Sequence, residues 1–147
     1  MAQNANKNHV IFVGMYENGV QSWRSVARLV ASHFPILSPA NEFAKISVGN
    51  DWEAFNTPIN LNGDRWDNRA INLAWRPRWF AIRYNKEINL ADEHFIRVPI
   101  METYSQEIFE VGREACVKYG LLTKDLAIAL NNEIAVWPTD LYFVYLD

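Results

Sequence analysis

A stretch near the middle of the chain sets the tightest limit on what it can fold into. Thr57 to Asn60 reads as a short strand, Asn62-Gly63-Asp64 as a tight turn, and Asn72 to Trp75 as a second short strand. Pro77 follows at once; its missing N–H costs nothing in a first helical turn, so the spacing predicts a helix from Pro77 through Tyr84. Strand, turn, strand and helix make a ββα finger. Its apolar positions, Leu73 and Trp75 among them, are placed to pack against a preceding helix.

That helix is legible too. His9 to Met15 is an apolar run ending at Glu17-Asn18-Gly19, and Asn-Gly is a strong hairpin signal. Val20 to Arg24 is the return strand. Ser25 is a helix cap, and Val26, Leu29, Val30, His33 and Phe34 then fall on one helical stripe until Pro35 ends it. Residues 35–56 read as loop with one candidate strand, Phe43 to Val48. After the finger, His94 to Ile100 is rich in β formers, with Gln106 to Val111 as its candidate partner. Arg113 to Leu122 and Thr123 to Asn132 predict two helices turning at Gly120, and Glu133 to Trp137 and Leu141 to Leu146, broken by Pro138, predict closing strands. The expected class is α+β: a β-hairpin plus helix, the ββα finger, then a small helix-turn-helix with short C-terminal strands. The expected division is a polar tail at 1–8, a core at 9–88 and a C-terminal module at 89–147.

The run from Thr57 to Trp75 resembles the active-site signature of small HNH homing endonucleases of the kind phages carry. Gly63, Asp64, Arg65, Asp67, Asn68, Asn72, Leu73 and Trp75 fit that signature without a gap. Met15 to Phe34 is similar to the hairpin and helix that precede it in the family, and Arg113 to Asn132 with Leu141 to Tyr145 follows the layout of a helix-turn-helix ending in an aromatic strand. The departures fall on the chemistry. In the family one divalent metal sits between a first-strand ligand and a ligand on the finger helix, where it stabilises charge on the scissile phosphate, and a neighbouring His activates water. The resemblance places these roles on Ile59, Ala81 and Asn60 respectively. Ile and Ala offer no lone pair, and an amide cannot take a proton near neutral pH. A one-residue shift of register still supplies no base. The resemblance therefore implies a degenerate member with no catalytic residue and no metal or other cofactor, in which Asn72 spans the finger by hydrogen bonds.

Charge distribution suggests partners. Residues 1–58 balance to zero, residues 59–86 carry six bases against two acids, and residues 87–147 carry four bases against eleven acids. The basic segment coincides with the finger, so Arg65, Arg69, Arg76, Arg78, Arg83 and Lys86 are the candidate contacts to the phosphates of double-stranded DNA. Trp66 and Trp79 are core residues first and groove-bracing or base-stacking residues second. The second predicted helix presents Thr123, Lys124, Asn131 and Asn132 but also Asp125, and residues 87–104 are short and acidic where the family has a longer basic linker. The leading reading is a catalytically inactive HNH-like phage protein kept for DNA binding or regulation. A second is a protein-interaction or virion accessory scaffold using the acidic C-terminal part, and a third is a metal-dependent nickase with a displaced active site. No apolar run approaches a membrane span, the start is not a secretory signal, and Cys116 cannot form an internal disulfide, which fits a host cytoplasm or a virion. His9, His33 and His94 are scattered and supply no zinc cluster.

Overall fold

The computed structural model describes residues 3–5, 11–17, 20–34, 36, 38–44 and 54–146. It is α+β, with three small antiparallel sheets among the described residues. Strands β1 (Gln3–Ala5), β2 (Ile11–Glu17) and β3 (Val20–Ser25) form the first sheet, with Phe12 opposite Ser25 and Glu17 opposite Val20. The hairpin is as expected; the Asn18-Gly19 turn lies outside the described residues. β1 departs from the expected polar tail, for its backbone pairs with β2 despite a sequence without apolar alternation. Backbone N–H and C=O groups pair whatever the side chain, and Gln3, Asn4 and Ala5 use an edge that β2 leaves open.

Helix α1 (Val26–His33) starts where expected, its N-terminal Ser25 hydroxyl accepting from the Arg28 N–H. Its stripe is less covered than the periodicity suggests. Ala31 is buried, Val26, Leu29 and Val30 are half-buried, and Phe34 is exposed; among the described elements the helix rests chiefly on the finger's narrow two-stranded sheet and the first hairpin. A short helix α2 (Pro39–Glu42) follows, and of the expected Phe43–Val48 strand Ala44 makes one bridge to Thr139, residues 45–48 lying outside the described ones.

The finger comes next: β4 (Thr57–Asn60) antiparallel to β5 (Leu73–Arg76), then helix α3 (Arg78–Glu87). β5 would be an open edge, but two side chains around α2 pair with it. The Ser38 hydroxyl donates to the Leu73 carbonyl at 2.7 Å, and the Trp75 N–H donates to Asn41 Oδ1 at 3.1 Å. The C-terminal part holds β6 (Ile100–Glu102) between β7 (Ile108–Phe109) and β8 (Phe143–Tyr145), with helices α4 (Gly112–Tyr119) and α5 (Thr123–Asn132) joined through Gly120. Gly120 is left-handed at φ +62°, and a Cβ there would sit 2.8 Å from the Arg76 guanidinium.

Of the expected His94–Ile100 strand only Ile100 is extended in a sheet, opening β6 opposite Phe109 of the expected partner segment, and the expected Glu133–Trp137 strand is absent. Residues 92–94 form a single 3-10 turn, and the Ile96 carbonyl accepts from the Gly112 N–H instead of from a sheet partner. Glu133 to Trp137 leads into a turn closed by the Thr139 N–H on the Val136 carbonyl, so Val136 enters the core from a loop. Among the described residues two apolar clusters stand out. One gathers Ile100, Phe109, Tyr119, Leu126 and Phe143 of the C-terminal part; the other gathers Ile59, Phe80, Ala81, Tyr84 and Ile88 of the finger, with Ala40 and Leu122. Leu122 lies beyond residue 88, so packing continues across the expected division at 88/89. No described helix is long and apolar enough to cross a membrane.

Candidate functional site

The loop between β4 and β5 is held by its own side chains. Asn72, buried, accepts from the Asn62 N–H through Oδ1 and donates through Nδ2 to Asn62 Oδ1 and the Asp67 carbonyl, at 2.9 to 3.1 Å. Asn60 Nδ2 donates to the same Asp67 carbonyl and to Asn68 Oδ1, both at 2.8 Å. Asp64 accepts from the Trp66 N–H, and Asn62 Oδ1 accepts from the Asp64 N–H. Gly63 takes φ +79° and approaches α3 so closely that a Cβ would lie 2.7 Å from Asn89 Oδ1 and Ile88 Cγ2. The Asn and Asp residues of the motif thus bind the loop to itself.

At the positions where the resemblance places the metal ligands, the residues do not fit a metal. Ile59 and Ala81 are both buried in the finger's apolar cluster among Phe80, Tyr84 and Ile88, where neither has a donor atom to offer. Among the described residues no three His, Cys, Asp or Glu side chains group in a way that could hold a metal ion. Asn60, at the position of the general base, spends its amide on Asp67 and Asn68.

The six candidate cations separate into three environments. Arg76 is the correction. It is 0 % exposed, and its guanidinium donates to the carbonyls of Ala40 and Tyr119 at 2.8 and 2.9 Å, of Gly120 at 3.2 Å and of Trp75 at 2.8 Å, while lying 5.5 Å above the Phe80 ring. No phosphate can reach it. Burial lowers its pKa to about 10, which leaves it charged at neutral pH. Tyr119 and Gly120 end α4, where unsatisfied carbonyls concentrate negative potential, so a buried cation is well placed there. The Tyr84 hydroxyl makes a second tie between the two parts, donating to the Leu61 carbonyl at 2.7 Å with the Cys116 carbonyl 3.1 Å away. Burial pushes the Cys116 thiol up to about 12, consistent with a small apolar core residue.

Arg65 and Arg69 stand on the loop. Arg65 is half-buried with an Nε that lacks a hydrogen-bond partner. Arg69 is exposed and forms a two-pronged pair with Asp67, 2.8 Å at each oxygen, so most of its charge is already answered. Hydrogen bonding from Arg69 holds the Asp67 carboxyl down at about 2. A depressed carboxyl pKa gives stability that is present above the ordinary value of 3.8 and lost as pH falls through about 2. NMR titration of Asp67 should therefore find its midpoint near 2, and Arg69→Ala should return it toward 3.8. An ordinary midpoint in the unsubstituted chain would remove the pair from solution.

Arg78, Arg83 and Lys86 are exposed on α3, and helical spacing puts them on one face with Trp79 and Ile82. The Arg83 guanidinium lies 5.7 Å from the Trp79 ring centre, and Trp79 stacks on Trp137 at 5.5 Å and 24°. Trp79 is half exposed, at 50 %. Trp137 was not suggested by the sequence as part of this face, since only tertiary packing brings the loop after α5 to α3. Asp125 and Glu87 lie within reach of the Arg83 charge: burial raises both carboxyls, and Arg83 opposes the rise.

No protein-family profile matches the sequence, and no curated protein matches it. A comparison with solved structures aligns 99 % of the chain with 81 % of the HNH homing endonuclease I-HmuI, from a structure described as "DNA binding and cleavage by the HNH homing endonuclease I-HmuI", at 16 % identity and a TM-score of 0.38. A likeness of that size assigns neither fold nor activity to this chain.

Proposed function

We propose that this chain is a catalytically inactive, phage-type relative of the HNH homing endonucleases, kept as a DNA-binding or regulatory protein. The observation that carries the binding half is the exposed face of α3, which presents Arg78, Arg83 and Lys86 to solvent, with Glu87 and Asp125 near Arg83 alone. Three such cations meet backbone phosphates and supply affinity without reading bases. Inactivity follows from the chemistry at Ile59, Asn60 and Ala81: apolar burial at both ligand positions, and an amide, already bonded to its loop, at the base position.

Electrophoretic mobility shift on double-stranded DNA tests the binding half. The expected result is weak, sequence-indifferent binding that falls steeply with salt, with a log–log slope that the triple change Arg78→Ala, Arg83→Ala, Lys86→Ala makes shallower by roughly 2–3. Arg76 is left out of that set because its loss acts on folding. No binding at low salt would give the lead to the second reading, a protein-interaction scaffold, which the excess of eleven acids over four bases in residues 87–147 favours.

A further inference from the structure

An aromatic step interrupts the basic face of α3. Trp79, Arg83 and Lys86 fall at i, i+4 and i+7, so one helical row carries all three, with Arg78 beside it. The Trp79 indole is stacked on that of Trp137, with centres 5.5 Å apart and planes 24° from parallel, yet the two residues stay 50 % and 41 % exposed. Buried rings hold the pair in place. Phe80 lies 5.9 Å from Trp79 and 5.8 Å from Trp137, and Phe55 lies 5.8 Å from Trp137. Two adjacent indoles fixed by their neighbours and left this open form a preorganised π surface, one that loses little freedom when a ligand settles on it.

The charge beside the indoles selects the ligand. The Arg83 guanidinium lies 5.7 Å from the Trp79 ring centre, and Arg78 and Lys86 are exposed on the same helix. The acids nearby, Glu87 and Asp125, are half-buried and within reach of Arg83, and Glu87 accepts from the Thr123 N–H at 3.4 Å. Arg78 and Lys86 therefore carry most of the positive charge offered to a ligand. A flat aromatic face with a negative charge a few bonds away satisfies both parts of the surface, and that is the chemistry of a nucleotide. In a closed duplex the base faces are stacked on one another and a protein meets phosphates and groove edges; in an unpaired strand the faces are open.

We infer that this row is a stacking platform for unpaired bases, and that the protein holds single-stranded DNA in preference to a closed duplex. The inference rests on the DNA-binding reading and narrows it. Phosphate contacts give the affinity common to both forms, and the indoles add what only an unpaired strand can use. A base settling on Trp79 displaces the exposed Arg83 side chain, whose guanidinium then meets a phosphate.

Fluorescence anisotropy of the full chain with three labelled probes of one length tests this: a single strand of mixed sequence, its duplex, and an abasic strand with the same phosphates and no bases. The duplex has the higher phosphate density, so electrostatics alone favours it. The single strand should nonetheless bind roughly tenfold more tightly than either of the others, the gain expected from stacking about one base. Trp79→Leu should weaken the single strand by roughly tenfold and the duplex far less, without changing the salt slope, because stacking releases no counterions. The abasic comparison uses the unmodified chain and stands whether or not the variant folds. Equal binding of the single and abasic strands, a duplex bound as tightly as the single strand, or a Trp79→Leu loss shared equally by all probes would overturn the inference and leave the DNA-binding reading standing. No binding of any probe at low salt would overturn both, and leave the indoles to a protein partner.

Discussion

Arg76→Ala is expected to lower stability by about 3–5 kcal/mol, the largest loss among single changes at the six candidate cations. The guanidinium is the donor for the carbonyls of Ala40, Tyr119 and Gly120, and each of those is buried where water cannot replace it. Removing the donor leaves the acceptors desolvated and unpaired, and the void adds lost packing against Phe80. For a chain of this length the melting temperature should fall by roughly 10 °C or more. Arg76→Met separates the two contributions, since it restores most of the volume and none of the donors; it should still cost about 2–4 kcal/mol. Urea unfolding of both variants measures this. A loss below about 1 kcal/mol in each would mean that the carbonyls find other partners and that the tie between finger and α4 is not made by Arg76.

Ile59→Asp carries the second large effect and bears on the proposed inactivity. Ile59 is buried in the apolar cluster with Ala81, Phe80 and Tyr84. The change forfeits the apolar burial of an Ile side chain, about 1.5–3 kcal/mol, and places an unpaired carboxyl in a site that disfavours its charge. Burial raises the folded-state pKa of such a group above its unfolded value of about 3.9, so its protonated form is the one the fold tolerates. The cost is therefore smallest below about pH 4 and grows as pH rises, until the group is charged in the folded state too. At neutral pH the total should reach about 4–6 kcal/mol, whereas a site still shaped for a metal-binding carboxylate would accept the residue with little loss. A stability difference that is small and flat with pH would show that position 59 still faces water or polar groups. The triple change Ile59→Asp, Asn60→His, Ala81→Asn extends the argument, because catalytic groups act only within about half an ångström of productive geometry and the surrounding shell here is apolar.

These two residues also show where the sequence was legible and where it was not. The finger could be read because its determinants are local: Gly63 needs its turn, Asn72 reaches partners within ten residues, and Pro77 opens α3. The pair of helices around Gly120 could be read for the same reason. Arg76 could not, for its acceptors lie 36, 43 and 44 residues away, and a basic residue in a basic segment carries no mark of burial. One signal was available: β5 packs on both sides, with Leu73 and Ala74 buried, so a residue closing that strand had little surface to reach. The segments 94–99 and 133–137 failed as strands because their β-forming residues are used to fill the core from loops, as Phe95 and Val136 do, or to stack on α3, as Trp137 does. Of the candidate cations, helical spacing alone brought Arg78, Arg83 and Lys86 together, while Arg69 was drawn to Asp67 two residues away.

Incubation of the unmodified chain with supercoiled plasmid in Mg²⁺ or Mn²⁺ tests the central claim most directly. The account predicts that the plasmid stays supercoiled over a concentration range in which the protein shifts DNA, because Ile59 and Ala81 give a metal no ligand and Asn60 gives water no base. Metal-dependent nicking by the purified chain, abolished by substitution of some other residue in it, would contradict the account and return the protein to the nucleases.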